Sequence, residues 1–187
     1  MVKRRASFPF MAMSHVEVSP AESAVAEPRS RFDATANLGV SVHVTVLFPF
    51  TSPDEIASDV LHDAQSALSV VQAFDFSVAK IGRCAATAYL SPDPLEPFVA
   101  LTTALVKRFP MFRPYGGAHG GIVAHLTVAH ADAATAASAA GELEQRLRAH
   151  QPIRTCCSSV TLLENSSGPW RTMRVLDLPS SINTKRI

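Results

Sequence analysis

Charge of one sign is what this chain most plainly lacks. Charged residues make up 18% of its 187 positions, and 17 Lys and Arg stand against 16 Asp and Glu. Lys3-Arg4-Arg5 is the sole basic run. A protein that grips duplex DNA along its backbone needs a row of cations, so that class is excluded, and contact with nucleic acid is expected only at an end or a short strand. Cysteine is scarce: three residues, two of them adjacent (Cys156-Cys157), give no disulfide framework and suit a reducing, cytoplasmic setting. Neither Cys-x-x-Cys nor His-Glu-x-x-His occurs, so no metal site and no cofactor are expected. No stretch approaches the roughly 20 apolar residues that span a bilayer. Phe8-Pro9-Phe10-Met11-Ala12-Met13 after the basic run has the outline of a secretory leader. It is too short for one, is broken by Pro9 and soon meets His15 and Glu17.

What is present supports a folded protein. Hydrophobic residues reach 47%, and the length allows one substantial core or two small lobes that share one. A four-residue pattern occurs twice: His43-Val44-Thr45-Val46 and His125-Leu126-Thr127-Val128, each inside an apolar, β-branched run. Both runs read as strands, where residues i and i+2 share a face. Each His-x-Thr therefore presents an imidazole beside a hydroxyl. The motifs stand 82 residues apart, close to half the chain.

Strands and helices alternate around the motifs. A strand over 11–18 precedes Ser19-Pro20-Ala21-Glu22, which has the form of a capping box and opens a helix to Phe32 that Pro28 would bend or end. The first motif strand follows over 40–48. Ser52-Pro53-Asp54-Glu55 repeats the capping form before a helix with Ile56, Val60, Ala64, Ala67, Leu68 and Val71 at helical spacing. Residues 74–81 and 86–90 read as strands joined by a turn near Gly82. A helix from Pro94 sets Phe98, Leu101, Leu105 and Phe109 on one face. The loop Pro114-Tyr115-Gly116-Gly117 leads to the second motif strand, an alanine-rich helix over 131–150 and strands over 153–157, 158–164 and 171–178. In each half a motif strand is followed by a helix and a hairpin. The expected fold is α+β: two pseudo-symmetric lobes, each a mostly antiparallel sheet with helices packed outside, around a central cleft that the repeated motif lines. One bilobal domain over 11–178 is expected, with flexible ends at 1–10 and 179–187.

Two histidines at neutral pH can act as base and acid if one is neutral and one charged. Two threonine hydroxyls can donate to phosphoryl oxygens where charge builds in the transition state. His43 and His125 are thus the expected catalytic pair, and Thr45 and Thr127 the phosphate-binding pair. Tyr115 is a candidate for stacking on a base, His119 for reaching substrate from the glycine-rich loop, and Arg83 for touching phosphate. Arg31 is expected at the surface or in an ion pair and Trp170 in core or rim packing. His15, His62 and His150 are expected to face solvent. His130, five residues after His125, is expected on the opposite face of its strand.

Two His-x-Thr motifs at this separation resemble those of the 2H phosphoesterase superfamily, which includes 2′-5′ RNA ligase and cyclic phosphodiesterase proteins. Arg29-Ser30-Arg31-Phe32-Asp33, Leu38-Gly39-Val40, Leu47-Phe48-Pro49-Phe50, Arg108-Phe109-Pro110, Pro114-Tyr115-Gly116-Gly117, Ala129 and Trp170 resemble one bacterial branch of 2′-5′ RNA ligase-like proteins. Cys84, where that branch usually has an aromatic, and Ala124, where proline is common, depart from it. The resemblance covers roughly residues 11–178. It implies a phosphoesterase of the cyclic phosphodiesterase type, acting without metal on 2′,3′-cyclic phosphate or 2′-5′ linkages of RNA ends or nucleotides. Ligation by reversal and nucleotide binding without turnover are the alternatives. A monomer with a nucleotide or RNA-end partner, and no membrane or duplex DNA partner, is expected.

Overall fold

A computed structural model describes residues 11–117, 121–148 and 152–180. Its strands are β1 (Ala12–Glu17), β2 (His43–Leu47), β3 (Phe74–Cys84), β4 (Thr87–Asp93), β5 (Leu126–His130), β6 (Ile153–Cys157), β7 (Ser159–Glu164) and β8 (Arg171–Asp177). The helices are α1 (Glu22–Phe32), α2 (Ser58–Leu68), α3 (Glu96–Arg108) and α4 (Ala133–Arg148). His119 and His150 lie outside the described residues, as do 1–10 and 181–187. Of the expected tail, Pro179 accepts a hydrogen bond from the backbone N–H of Ala73 at 2.8 Å.

The strands form two antiparallel four-stranded sheets, β2-β1-β7-β8 and β5-β4-β3-β6. Each motif strand lies at a sheet edge, and β2 and β5 are neighbours across the space between the sheets. α2 and α3 cover the first sheet, while α1 and α4 cover the second. The architecture is thus the expected pair of α+β lobes. The halves of the chain, however, are not the lobes. The β3–β4 hairpin that follows the first motif joins the second sheet, and the β7–β8 hairpin from the end of the chain completes the first. Neighbours in sequence say which strands form hairpins but not which sheet a hairpin joins.

Both sheets feed one core. Val44, Val46, Leu90, Leu126, Val128, Val160 and Leu162 belong to a single buried cluster with Phe98, Leu101 and Leu105 of α3. Those α3 residues repeat every three or four positions, which gives the helix one apolar stripe.

Several local expectations need correction. Neither capping box forms: Ser19 opens a single 3₁₀ turn and its hydroxyl donates to Glu17 Oε1. Pro53–Glu55 is likewise a 3₁₀ turn, and α2 begins only at Ser58. Proline is the second residue of the first turn and the first residue of the second. Pro28 does not end α1, which runs to Phe32. Gly82 is not in a turn. It lies inside β3, and the ring of Tyr89 packs where its Cβ would be, with ring atoms 2.3 Å from that point. Glycine is there for close approach, and the turn comes at Ala85-Ala86.

Each motif strand carries a bulge at the same place. Thr45 pairs with His15 and Leu47 with Ser14, which leaves Val46 extra. Thr127 pairs with Tyr89 and Ala129 with Ala88, which leaves Val128 extra. A bulge sets two residues against one and so reverses the facing of everything after it. In the first sheet Thr102 of α3, fully buried, donates its hydroxyl to the carbonyl of Val46 at 2.8 Å.

Candidate active site

Between the sheets lies a cleft of about 410 Å³ lined by His43, Thr45, His125 and Thr127. The alternation that buries Val44 and Val46 turns His43 and Thr45 to the cleft, and the same holds around Leu126 and Val128. The structure thus brings together all four side chains of the repeated motif.

The two histidines are held alike. His43 Nδ1 lies 2.8 Å from the carbonyl of Ser41, and His125 Nδ1 lies 2.7 Å from the carbonyl of Val123. A carbonyl only accepts, so each Nδ1 carries hydrogen and donates it. In the neutral ring Nε2 then holds the lone pair, the form a base needs.

Their surroundings differ. His43 is 9% exposed and His125 is partly exposed. Burial pulls His43 down from 6.5 to about 4; the Ser41 carbonyl and Asp33 oppose this, and the charges of Arg29 and His125 add to it.

Behind His43 stands His15. It is not at the surface: it is 1% exposed, and its ring meets that of His43 edge-on with centroids 5.0 Å apart. It faces inward because it pairs across the ladder with Thr45 and so shares its face. Burial, then the charge of His43, pull His15 down to about 3. Its Nδ1 has no hydrogen-bond partner among the described residues. The matching place in the other sheet, opposite Thr127, belongs to Tyr89, whose ring lies 5.1 Å from that of His125. Tyr115 flanks His125 from the loop, nearly parallel at 5.7 Å. Its backbone, at φ +52°, donates to the carbonyl of Phe48 at 2.6 Å. Burial raises its hydroxyl to about 12, against a hydrogen bond with Thr45.

Beneath His43, Arg29 and Asp33 form a buried ion pair at 3.1 Å. Asp33 also accepts the backbone N–H and hydroxyl of Thr35 at 3.0 and 2.7 Å. Its carboxylate is spent on protein partners although it borders the cleft.

His130 does line the cleft, contrary to simple alternation, because the bulge at Val128 returns it to the face of Thr127. Thr87 Oγ1 and His130 Nδ1 are 2.9 Å apart. Phe48, in the same position after the first bulge, lines the opposite wall edge-on to Trp170. Arg83 is not a cleft residue: it is exposed and borders a shallow depression against α4. Arg31 pairs with Glu27 and Glu142 on the outer surface, and His62 is exposed. His15, Tyr89, Asp33 and His130 were the residues sequence reasoning missed. The signal for the first two lies only in strand pairing, and for His130 only in the bulge.

Among the described residues no group of three or more His, Cys, Asp or Glu side chains is placed to hold a metal ion. No described helix is long and apolar enough to cross a membrane.

The sequence profile of the 2′-5′ RNA ligase superfamily matches residues 16–169. Escherichia coli LigT complexed with NADP+ shares the fold at a TM-score of 0.56, with 12% identity, over 93% of this chain and 100% of that one. LigT complexed with 3′-AMP gives 0.56 and 13% over 92% and 100%. The Thermus thermophilus protein TT0787 gives 0.60 and 13% over 91% and 99%. No curated protein matches by sequence.

Proposed function

The chain belongs to the 2′-5′ RNA ligase superfamily, and on that premise we propose that it is a phosphoesterase of the cyclic phosphodiesterase type. It acts on 2′,3′-cyclic phosphate or 2′-5′ linkages of RNA ends or nucleotides, and it needs no metal. The convergence of His43, Thr45, His125 and Thr127 on one cleft carries this reading.

Opening a cyclic phosphodiester requires removal of a proton from water, stabilisation of charge on the non-bridging oxygens and a proton for the leaving oxygen. An imidazole with its Nδ1–H tied to backbone and its lone pair on Nε2 supplies the first. Threonine hydroxyls, one from each lobe, supply the second. The other imidazole, protonated, supplies the third. A cleft of about 410 Å³ suits a nucleotide or the end of a strand, not a duplex. A related fold binds nucleotides, as the LigT complexes with NADP+ and 3′-AMP illustrate. The near-neutral charge argues against an extended RNA groove and hence favours hydrolysis over ligation. We place the protein in the cytosol as a monomer.

The test is a panel assay in EDTA with 2′,3′-cyclic nucleotides, ADP-ribose 1″,2″-cyclic phosphate, 2′-5′ oligoadenylate and cyclic-phosphate-ended RNA. Turnover of at least one of them in chelator is the expected outcome. Activity that appears only when a divalent ion is restored would place the protein in metal-assisted hydrolysis instead.

A further inference from the structure

His15 and Tyr89 occupy matched positions in the two sheets: each pairs across the ladder with a motif threonine, and each sets its ring against a motif histidine at about the same distance, 5.0 and 5.1 Å. The scaffold around the two catalytic candidates is therefore two-fold, but the backing groups are not. Behind His43 is a second imidazole, almost fully buried, with the Arg29–Asp33 pair close by. Behind His125, which is partly exposed, are two tyrosine rings, Tyr89 and Tyr115.

We propose that His15 and Tyr89 are positioning residues that split the paired histidines into fixed roles, with His43 as the base and His125 as the acid in hydrolysis. The inference rests on the phosphoesterase reading and deepens it. His15 fills the space behind His43 and keeps water from that side of the ring, while the cleft side stays open. A cation in that dry pocket would lie beside the Arg29 guanidinium. The charged and titratable neighbours of His43 are His15 from β1, Arg29 from α1, Asp33 just beyond α1 and His125 from the facing sheet, and the Ser41 carbonyl accepts from its Nδ1. Of these, the Ser41 carbonyl and Asp33 favour a proton on His43, and the Asp33 carboxylate is already shared with Arg29 and Thr35. Aromatic faces attract cations, so the two tyrosines suit His125 to the protonated state. In the reaction His43 Nε2 takes a proton from water as its oxygen bonds to phosphorus. The bond from phosphorus to the ribose oxygen breaks, and that oxygen takes the proton from His125 Nε2. One water is consumed, and a phosphomonoester and a ribose hydroxyl are produced. The product state, His43 protonated and His125 neutral, returns to the start by exchange with solvent.

Two measurements on the full chain test this. A substrate whose leaving oxygen is replaced by sulfur needs no acid. With it, the deficit of His125→Ala should shrink from about 10²–10⁴-fold to under about 10-fold, while that of His43→Ala stays. The reverse pattern would overturn the assignment. NMR titration of the histidine rings needs no turnover, so it tests the positioning claim even if none of the panel substrates is cleaved. His43 should titrate below His125 in the wild type, and His15→Ala should move His43 upward while His15→Phe, which keeps a ring there, should not. Tyr89→Ala should move His125 and leave His43. An unmoved His43 in His15→Ala would reduce His15 to packing and overturn its role.

Discussion

Burial pulls the imidazoles of His43 and His15 down to about 4 and about 3 from an ordinary 6.5. Two consequences follow for pH. As a base, His43 works only when unprotonated, so the acid limb of kcat/KM should fall well below 6.5, towards pH 4, and not near neutrality. The unfolded chain binds protons on these histidines from about 6.5 downward, whereas the folded chain does so only near 4 and 3. Between those values the unfolded state holds more protons, so stability falls as pH falls through that window. Across the whole window each group contributes on the order of a few kcal/mol to this loss. Denaturant melts of wild type and His15→Phe at pH 7 and pH 5 check it: the loss between the two pH values should be smaller in the variant. Equal losses would deny that His15 titrates as its burial requires. At this scale the motif pairs were legible in the sequence, because i and i+2 on a strand face alike whatever the partner strand. His15 was not legible, since an isolated histidine near the chain start carries no pattern. Its burial comes from pairing with Thr45 and Thr161 on either side.

At the scale of elements, the bulges and the residues that permit close approach shape the site. The carbonyl of Val46, in the first bulge, is satisfied by Thr102. Thr102→Val keeps the shape but removes that donor from a buried acceptor, so stability should fall by about 1–3 kcal/mol. Turnover should fall with it because Thr45 and Phe48 flank the bulge. A melt and a rate on the same preparation check both. Gly82→Ala places a Cβ 2.3 Å from Tyr89 ring atoms. The ring must move, and with it the support of His125, so a lower Tm together with lower turnover is the expected outcome; an unchanged Tm would show that the ring gives way freely. Hydrophobic spacing made α3, α4 and most strands legible. Gly82 read as a turn because glycine marks both turns and close contacts. His130 read as facing away because a bulge leaves no trace in the alternation of Leu126, Thr127 and Val128.

At the scale of the molecule, each lobe is completed by a hairpin from the other half of the chain. The repeat of motif, helix and hairpin showed that two lobes exist but not that they exchange strands. A fragment of residues 1–93 would hold β1 and β2 without β7 and β8, and β3 and β4 without β5 and β6. It should show no cooperative unfolding transition in circular dichroism, whereas the full chain should. The Arg31–Glu142 and Arg146–Glu27 pairs, which join α1 to α4, are at least partly exposed, so their removal should cost under about 1 kcal/mol. Exchange of strands, not surface charge, ties the lobes together and sets His43 opposite His125.

That opposition is most directly tested by the rate of hydrolysis of a 2′,3′-cyclic nucleotide in EDTA by wild type, His43→Ala, His125→Ala and the double variant, all shown to be folded. Each single change should cost about 10²–10⁴-fold. The double change should cost much less than the product of the two, because acid and base act as a unit. A double variant as active as the wild type would contradict the account.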